Sequence, residues 1–249
     1  MNIFLLRGLV REKAHWGKFV QELEEAFPSD NIITPEIQGV GQFVDIISPT
    51  NFDEMVEFMR DQYLTQIESG EECILIAMSL GGMIARLWME KHPQDFSKCI
   101  LVNTSFKGIS HIHERLRPLS ILNFFKIFLT PSIEKREKAI IKMVSNNDTN
   151  HDEIIKEWIE IQKKRPVKRQ NFLNQMKAAM TFNPPLSKPD ADLLVLAAKA
   201  DRLCNYKCSV KLHKRWGGKL SINEKAGHDL PIDDSPWMIN EIKTWLKEL

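Results

Sequence analysis

Short runs rich in Ile, Leu and Val alternate with longer amphipathic runs at both ends of this 249-residue chain, and the alternation stops in the middle. NIFLL (2–6), NIITPEI (31–37), CILIAM (73–78) and CILVN (99–103) read as strands. Between them, WGKFVQELEEAF (16–27), FDEMVEFMRDQYLTQI (52–67) and residues 80–91 carry apolar side chains at helical spacing. The last of these stops at His92-Pro93, since the residue before a proline disfavours helix. The pattern resumes with LLVLAAKAD (193–201), a helical run near 207–216, KLSINE (219–224) and an amphipathic helix over 237–249. Strands separated by helices need crossover connections. The pattern therefore predicts an α/β fold, a mostly parallel sheet with helices on both faces.

The interruption, roughly 106–186, is helical and differs in charge from the rest. From Lys107 to Lys177 there are fifteen Lys/Arg and eight Asp/Glu, a net of +7 that leaves −6 for the remainder of a chain with net charge +1. Charges such as KKRPVKR (163–169) either solvate helix faces or make a docking surface for an anionic partner. The most apolar part, PLSILNFFKIFLTPSI (118–133), either packs the insertion, walls an acyl chain or lies on a membrane surface. The whole-chain charge implies no nucleic-acid partner, and no apolar run reaches the roughly 18 residues that a membrane span needs. The start, MNIFLLRGLV, has no basic region before its apolar run, so it reads as a strand and not as a signal peptide. Cys73, Cys99, Cys204 and Cys208 lack a metal or redox spacing, which suits a reducing cytoplasm. His111 and His113 have no Cys, Asp or Glu cluster to complete a metal site, and GVG (39–41) is too little for a dinucleotide fingerprint. No metal or cofactor is called for.

In LIAMSLGGMIARL (75–87) an aliphatic strand meets Ser79, then two glycines, then a helix. A sharp strand-to-helix turn would lift a serine side chain above the sheet, next to the unsatisfied N–H groups of the helix N-terminus. The usual pattern is G-x-S-x-G, and Ala77 stands at its first glycine. Taken alone, the stretch is either a nucleophile elbow or an ordinary strand-helix turn. A hydroxyl needs a base, and the base needs a carboxylate to fix its tautomer. His228, in EKAGHDLPIDD, follows the last strand, and Asp201, in LAAKADRLC, follows the strand before it. All three residues leave the sheet at strand C-terminal ends, where open parallel sheets bind ligands. Their chain order, Ser then Asp then His, is the order of the hydrolase elbow.

LLRGLVREKAHWGKF, EIQGVGQF, AMSLGG, AAKADRL and KAGHDLP together resemble the α/β-hydrolase superfamily over the whole chain apart from the insertion. The resemblance implies an oxyanion hole from the backbone amides of Leu80 and Leu9. It also implies a core over 1–105 and 187–249, with 106–186 as a helical cap above the site. Arg7 stands where the family commonly has histidine. The usual leading hairpin is missing before the first strand, so about six strands, nearly all parallel, are expected. Relatives with Asp at the elbow cleave other bonds. A serine there implies hydrolysis of a carboxylic ester, thioester or similar acyl compound. Length, elbow and basic cap are similar to those of pimeloyl-acyl-carrier-protein methyl ester esterases, and acyl carrier proteins are acidic. The competing expectations are a hydrolase-fold protein that binds a ligand or partner without turnover, and a serine-dependent lyase or C–C hydrolase. His15 and Trp16, near the oxyanion loop, are read as positioning or packing residues.

Overall fold

Six strands build one sheet: β1 (Asn2–Leu6), β2 (Asn31–Ile33), β3 (Cys73–Met78), β4 (Lys98–Val102), β5 (Asp192–Ala198) and β6 (Lys219–Asn223). Their order is β2-β1-β3-β4-β5-β6, and all five pairings are parallel. The computed structural model describes every residue except 68, 69, 148 and 150. The helices of the body are α1 (Phe19–Ala26), α2 (Phe52–Leu64), α3 (Leu80–Lys91), α9 (Lys207–Trp216), α10 (Leu230–Asp233) and α11 (Ser235–Glu248). Between β4 and β5 come α4 (Ile112–Arg115), α5 (Pro118–Leu129), α6 (Ile133–Val144), α7 (His151–Lys164) and α8 (Arg169–Thr181).

Side chains alternate across a strand, so each strand feeds two cores. Phe4, Leu6, Leu75, Ala77, Cys99 and Leu101 pack against α2, α3 and α9. Their neighbours Ile3, Leu5, Ile74, Ile76, Ile100 and Val102 pack against α1 and α11 on the other face. Burial on both faces is why these strands read as continuous apolar runs. The chain enters mid-sheet at β1, crosses to the edge at β2 and returns to β3 on β1's other side. The switch point thus lies between the C-terminal ends of β1 and β3, which is where such a sheet opens a crevice.

Three expected elements are shorter than the sequence implied. The strand expected over 31–37 stops at Ile33, two residues before Pro35, whose missing N–H cannot serve a ladder. The helix expected over 16–27 divides into a 3₁₀ turn at Lys13–Trp16 and α1, because Gly17 lies between them at φ 55°. The expected helix 52–67 ends at Leu64, and it starts where the Asn51 side chain accepts from Glu54 N–H at 3.0 Å.

Above the sheet, α5, α6 and α7 enclose a core of their own, with Ile127, Ile141, Met143, Ile155 and Trp158. By contrast, α8 is tied to the body. Its buried Asn171 accepts from Ser48 N–H at 3.0 Å and donates to Gly39 O at 3.1 Å. A Cβ on Gly39, at φ 87°, would sit 2.1 Å from Ser48 Oγ. The GVG turn is therefore an anchor for α8. On α5, Leu119, Leu122, Phe125 and Leu129 are exposed, while Phe124 and Ile127 turn inward. Among the described residues, no helix is long and apolar enough to cross a membrane.

Candidate active site

Ser79 sits between β3 and α3 at φ 56° and ψ −118°. A β-carbon-bearing residue rarely adopts positive φ, so the surroundings must hold it there. Its N–H donates to Val102 O at 2.9 Å, and its carbonyl accepts from Thr104 Oγ1 at 2.7 Å. The two glycines that follow allow the close approach. A Cβ on Gly81 would lie 2.6 Å from Leu6 O and 2.7 Å from Arg7 O, and one on Gly82 would lie 2.6 Å from Thr104 Oγ1. Ala77, by contrast, points into the α2/α3 core, where its methyl is fully buried.

The three residues singled out by the sequence meet here. Ser79 Oγ is 3.0 Å from His228 Nε2, and His228 Nδ1 is 2.7 Å from Asp201 Oδ2. The other carboxylate oxygen of Asp201 accepts from the N–H groups of Leu203 at 2.6 Å and Cys204 at 2.9 Å. Asp201 is thus locked in one rotamer. The carboxylate makes Nδ1 the protonated ring nitrogen and leaves Nε2 as an acceptor facing the serine. Leu80 is the first residue of α3, so its amide stands at the positive end of the helix dipole. The Gly8–Leu9 turn passes close by, such that a Cβ on Gly8 would be 3.3 Å from Ser79 Cβ. Neither the Leu9 nor the Leu80 amide donates to a protein acceptor among the described residues.

Several bracing residues escaped the sequence reading. Arg7 makes a bidentate pair with Asp229, at 3.0 and 2.8 Å, and also donates to His15 O at 2.8 Å. It touches Met78 Sδ at 3.2 Å and stacks on Trp16 at 4.7 Å. One buried guanidinium therefore joins the His15–Trp16 turn, the residue before Ser79 and the residue after His228. Asn103, at φ 45°, accepts from Ala198 N–H at 2.8 Å and donates to His228 O at 2.9 Å. Val10, at φ 50°, donates its N–H to Gln175 Oε1 of α8 at 2.9 Å. Val10, Ser79 and Asn103 are the three non-glycine residues at positive φ among those described, and all three adjoin the site. The only sequence signal for any of these was the unusual Arg7. Its partner lies 222 positions away.

His15 is fully buried, with Trp16 beside it. Burial first, then the Arg11 and Arg7 charges, push its pKa well below the ordinary histidine value, so the ring is neutral. Two apolar arms reach Ser79. The first, about 130 Å³, runs under α5–α7 past Ile127, Phe128, Ile140, Met143 and Trp158, with Arg11, Arg136 and Glu137 along it. The second, about 110 Å³, runs toward α4 and α8 past Met83, Ile112, Leu116, Met176 and Met180. Both are lined by Leu9, Ser79, Phe124, Leu203 and His228, so they converge on the serine.

A serine on a strained strand-to-helix turn, a six-stranded parallel sheet and an inserted helical cap define a serine hydrolase of the α/β-hydrolase fold. The family model described as serine aminopeptidase, S33, matches residues 40–235, and the chain belongs to that family. No curated protein matches it. Among solved structures it is similar to the 2-hydroxy-6-oxo-6-phenylhexa-2,4-dienoate hydrolase of Rhodococcus sp. strain RHA1, at 22% identity and TM-score 0.77 over 99% of this chain and 90% of that one. It is also similar to an esterase from Exiguobacterium antarcticum, at 15% identity and TM-score 0.79 over 99% and 92% of the two chains. A lipase-esterase related protein from Clostridium acetobutylicum matches at 16% identity and TM-score 0.75 over 98% and 93%. At these identities the likeness shows the fold.

Proposed function

We propose that the protein hydrolyses carboxylic acyl esters through a covalent acyl-enzyme, with Ser79 as nucleophile, His228 as base and Asp201 as its orienting carboxylate. The observation that carries this is the unbroken hydrogen-bond chain from Ser79 Oγ through His228 to Asp201. In this reading His228 Nε2 takes the Ser79 proton as Oγ attacks the substrate carbonyl. The resulting oxyanion is held by the Leu9 and Leu80 amides. His228 then protonates the leaving alcohol. Water attacks the acyl-enzyme with His228 again as base, releasing the acid and restoring Ser79. Residues 106–186 act as the cap domain that walls both arms from solvent.

The family's description names an aminopeptidase, whose substrate would bring an ammonium group into the cleft. Here the carboxylates of the first arm are already committed, Glu137 to Arg11 at 2.9 Å and Asp229 to Arg7. Arg136, Lys168 and Arg169 add further cations to its lining. Like charges repel an ammonium group, so the cleft suits a neutral or anionic ester. A finer reading takes the acyl group from an acyl carrier protein, as in the pimeloyl-acyl-carrier-protein methyl ester esterases. What supports it is the +7 insertion, whose charge complements an acidic carrier. Four buried free thiols suit a cytoplasmic location.

The test is turnover of p-nitrophenyl esters of increasing chain length, with an aminoacyl p-nitroanilide alongside and Ser79→Ala as control. Ester cleavage by the wild type and none by the variant supports the reading. Cleavage of the anilide in preference to every ester overturns it. Faster cleavage of a methyl ester carried on acyl carrier protein than of the free ester supports the finer reading, and the reverse order sinks it.

A further inference from the structure

The second arm differs from the first in one electrostatic respect. In the first, Arg11 is answered by Glu137 at 2.9 Å, Arg136 reaches the same carboxylate at 3.8 Å, and Arg169, which makes no ion pair among the described residues, is exposed to solvent. In the second, the lining is apolar and neutral polar apart from His228 and one guanidinium, that of Arg115. Arg115 makes no ion pair among the described residues. Among the described residues its guanidinium has one acceptor, the carbonyl Ala179 O at 3.3 Å, and its Nε is buried with no partner. Glu114 beside it pairs instead with Lys211. Burial pulls the Arg115 pKa down, and the neighbouring Cys204 and Cys208 thiols offset this only in part. A half-buried, uncompensated guanidinium costs free energy that an anionic ligand would recover. Its planar fork matches a carboxylate.

We propose that the second arm is a carboxylate subsite, and that the preferred substrates are short esters carrying a carboxylate at the end remote from the scissile bond, read by Arg115. The apolar walls at Met83, Leu116, Met176 and Met180 hold the methylene chain, and Arg115 binds the terminal charge. This rests on the ester-hydrolase reading and is independent of any acyl carrier protein.

The experiment compares kcat/KM for monomethyl adipate and methyl hexanoate, followed by release of acid, in the wild type, Arg115→Met and Arg11→Met. The wild type is expected to prefer the half-ester at least tenfold. Arg115→Met should abolish that ratio through KM, and Arg11→Met should keep it. An equal rate on both esters in the wild type overturns the proposal, as does a ratio that collapses in Arg11→Met and survives in Arg115→Met. A fluorophosphonate probe separates the two layers. Labelling of Ser79 with no preference between the esters defeats only the subsite, whereas no labelling and no turnover defeats the hydrolase reading as well. Where Ser79 labels but neither ester turns over, calorimetric titration of adipate into Ser79→Ala and Ser79→Ala/Arg115→Met decides. Binding to the first alone supports the subsite, and equal or absent binding refutes it.

Discussion

Breaking the Arg7–Asp229 pair should cost more stability than any single apolar contact in the site. Both side chains are nearly inaccessible, at 4% and 5% exposure, so neither charge can return to water in the folded protein. The two substitutions are not equivalent. Among the described residues Asp229 has Arg7 as its only side-chain partner, so Arg7→Met strands a buried carboxylate. In Asp229→Leu, Arg7 keeps His15 O, Met78 Sδ and the Trp16 face. Removing one partner of a buried pair costs about 3–5 kcal/mol, and Arg7→Met belongs at the upper end. Replacing both partners by apolar groups is often neutral, so the double variant should recover at least about 2 kcal/mol relative to the sum. For a chain of this size each kcal/mol moves Tm by about 2–4 °C, so Arg7→Met should melt roughly 10–20 °C lower. Equilibrium urea unfolding by tryptophan fluorescence gives the three free energies. Strict additivity, or a loss below about 1 kcal/mol for Arg7→Met, would show that the pair does not brace the site.

Other predictions concern neighbouring residues. Gly81→Ala would drive a methyl into the carbonyls of Leu6 and Arg7, so it should separate the Ser79 turn from the Gly8–Leu9 turn and lower kcat on the order of 100-fold, as read from ester turnover. Gln175→Leu removes the acceptor of Val10 N–H, and kcat should fall about tenfold with KM little changed. His15, whose folded pKa is depressed, is protonated more readily when unfolded. Its contribution to stability is complete above about pH 6.5 and falls by up to about 1.4 kcal/mol per pH unit below that, until the folded pKa is reached. Urea unfolding of wild type and His15→Gln from pH 8 to 5 should show that slope shrinking in the variant, and parallel curves would refute the assignment.

The sequence by itself determined the sheet, the insertion and the three residues that meet at the site. Each of those signals is local. CILIAM and LLVLAA are buried on both faces and so are apolar throughout; Ser79 follows the first directly, Asp201 comes three residues after the second, and His228 comes five residues after the half-buried β6. Parallel strands place their C-terminal ends on one edge, so residues far apart in the chain must converge there. Element ends were less legible, because Gly17 and the limited pairing of β2 override apolar spacing. Only the tertiary structure decided what holds the site in place and what shape it presents. Arg7 pairs with Asp229, Gln175 with Val10, and Asn171 with Ser48, at separations of 222, 165 and 123 positions. The two arms likewise exist only where cap helices lie over the sheet edge, and Arg115 is uncompensated only because Glu114 turns to Lys211. Hydrogen bonds and ion pairs depend on separations of a few ångströms in space, and no periodicity along the chain encodes which distant residues will come that close.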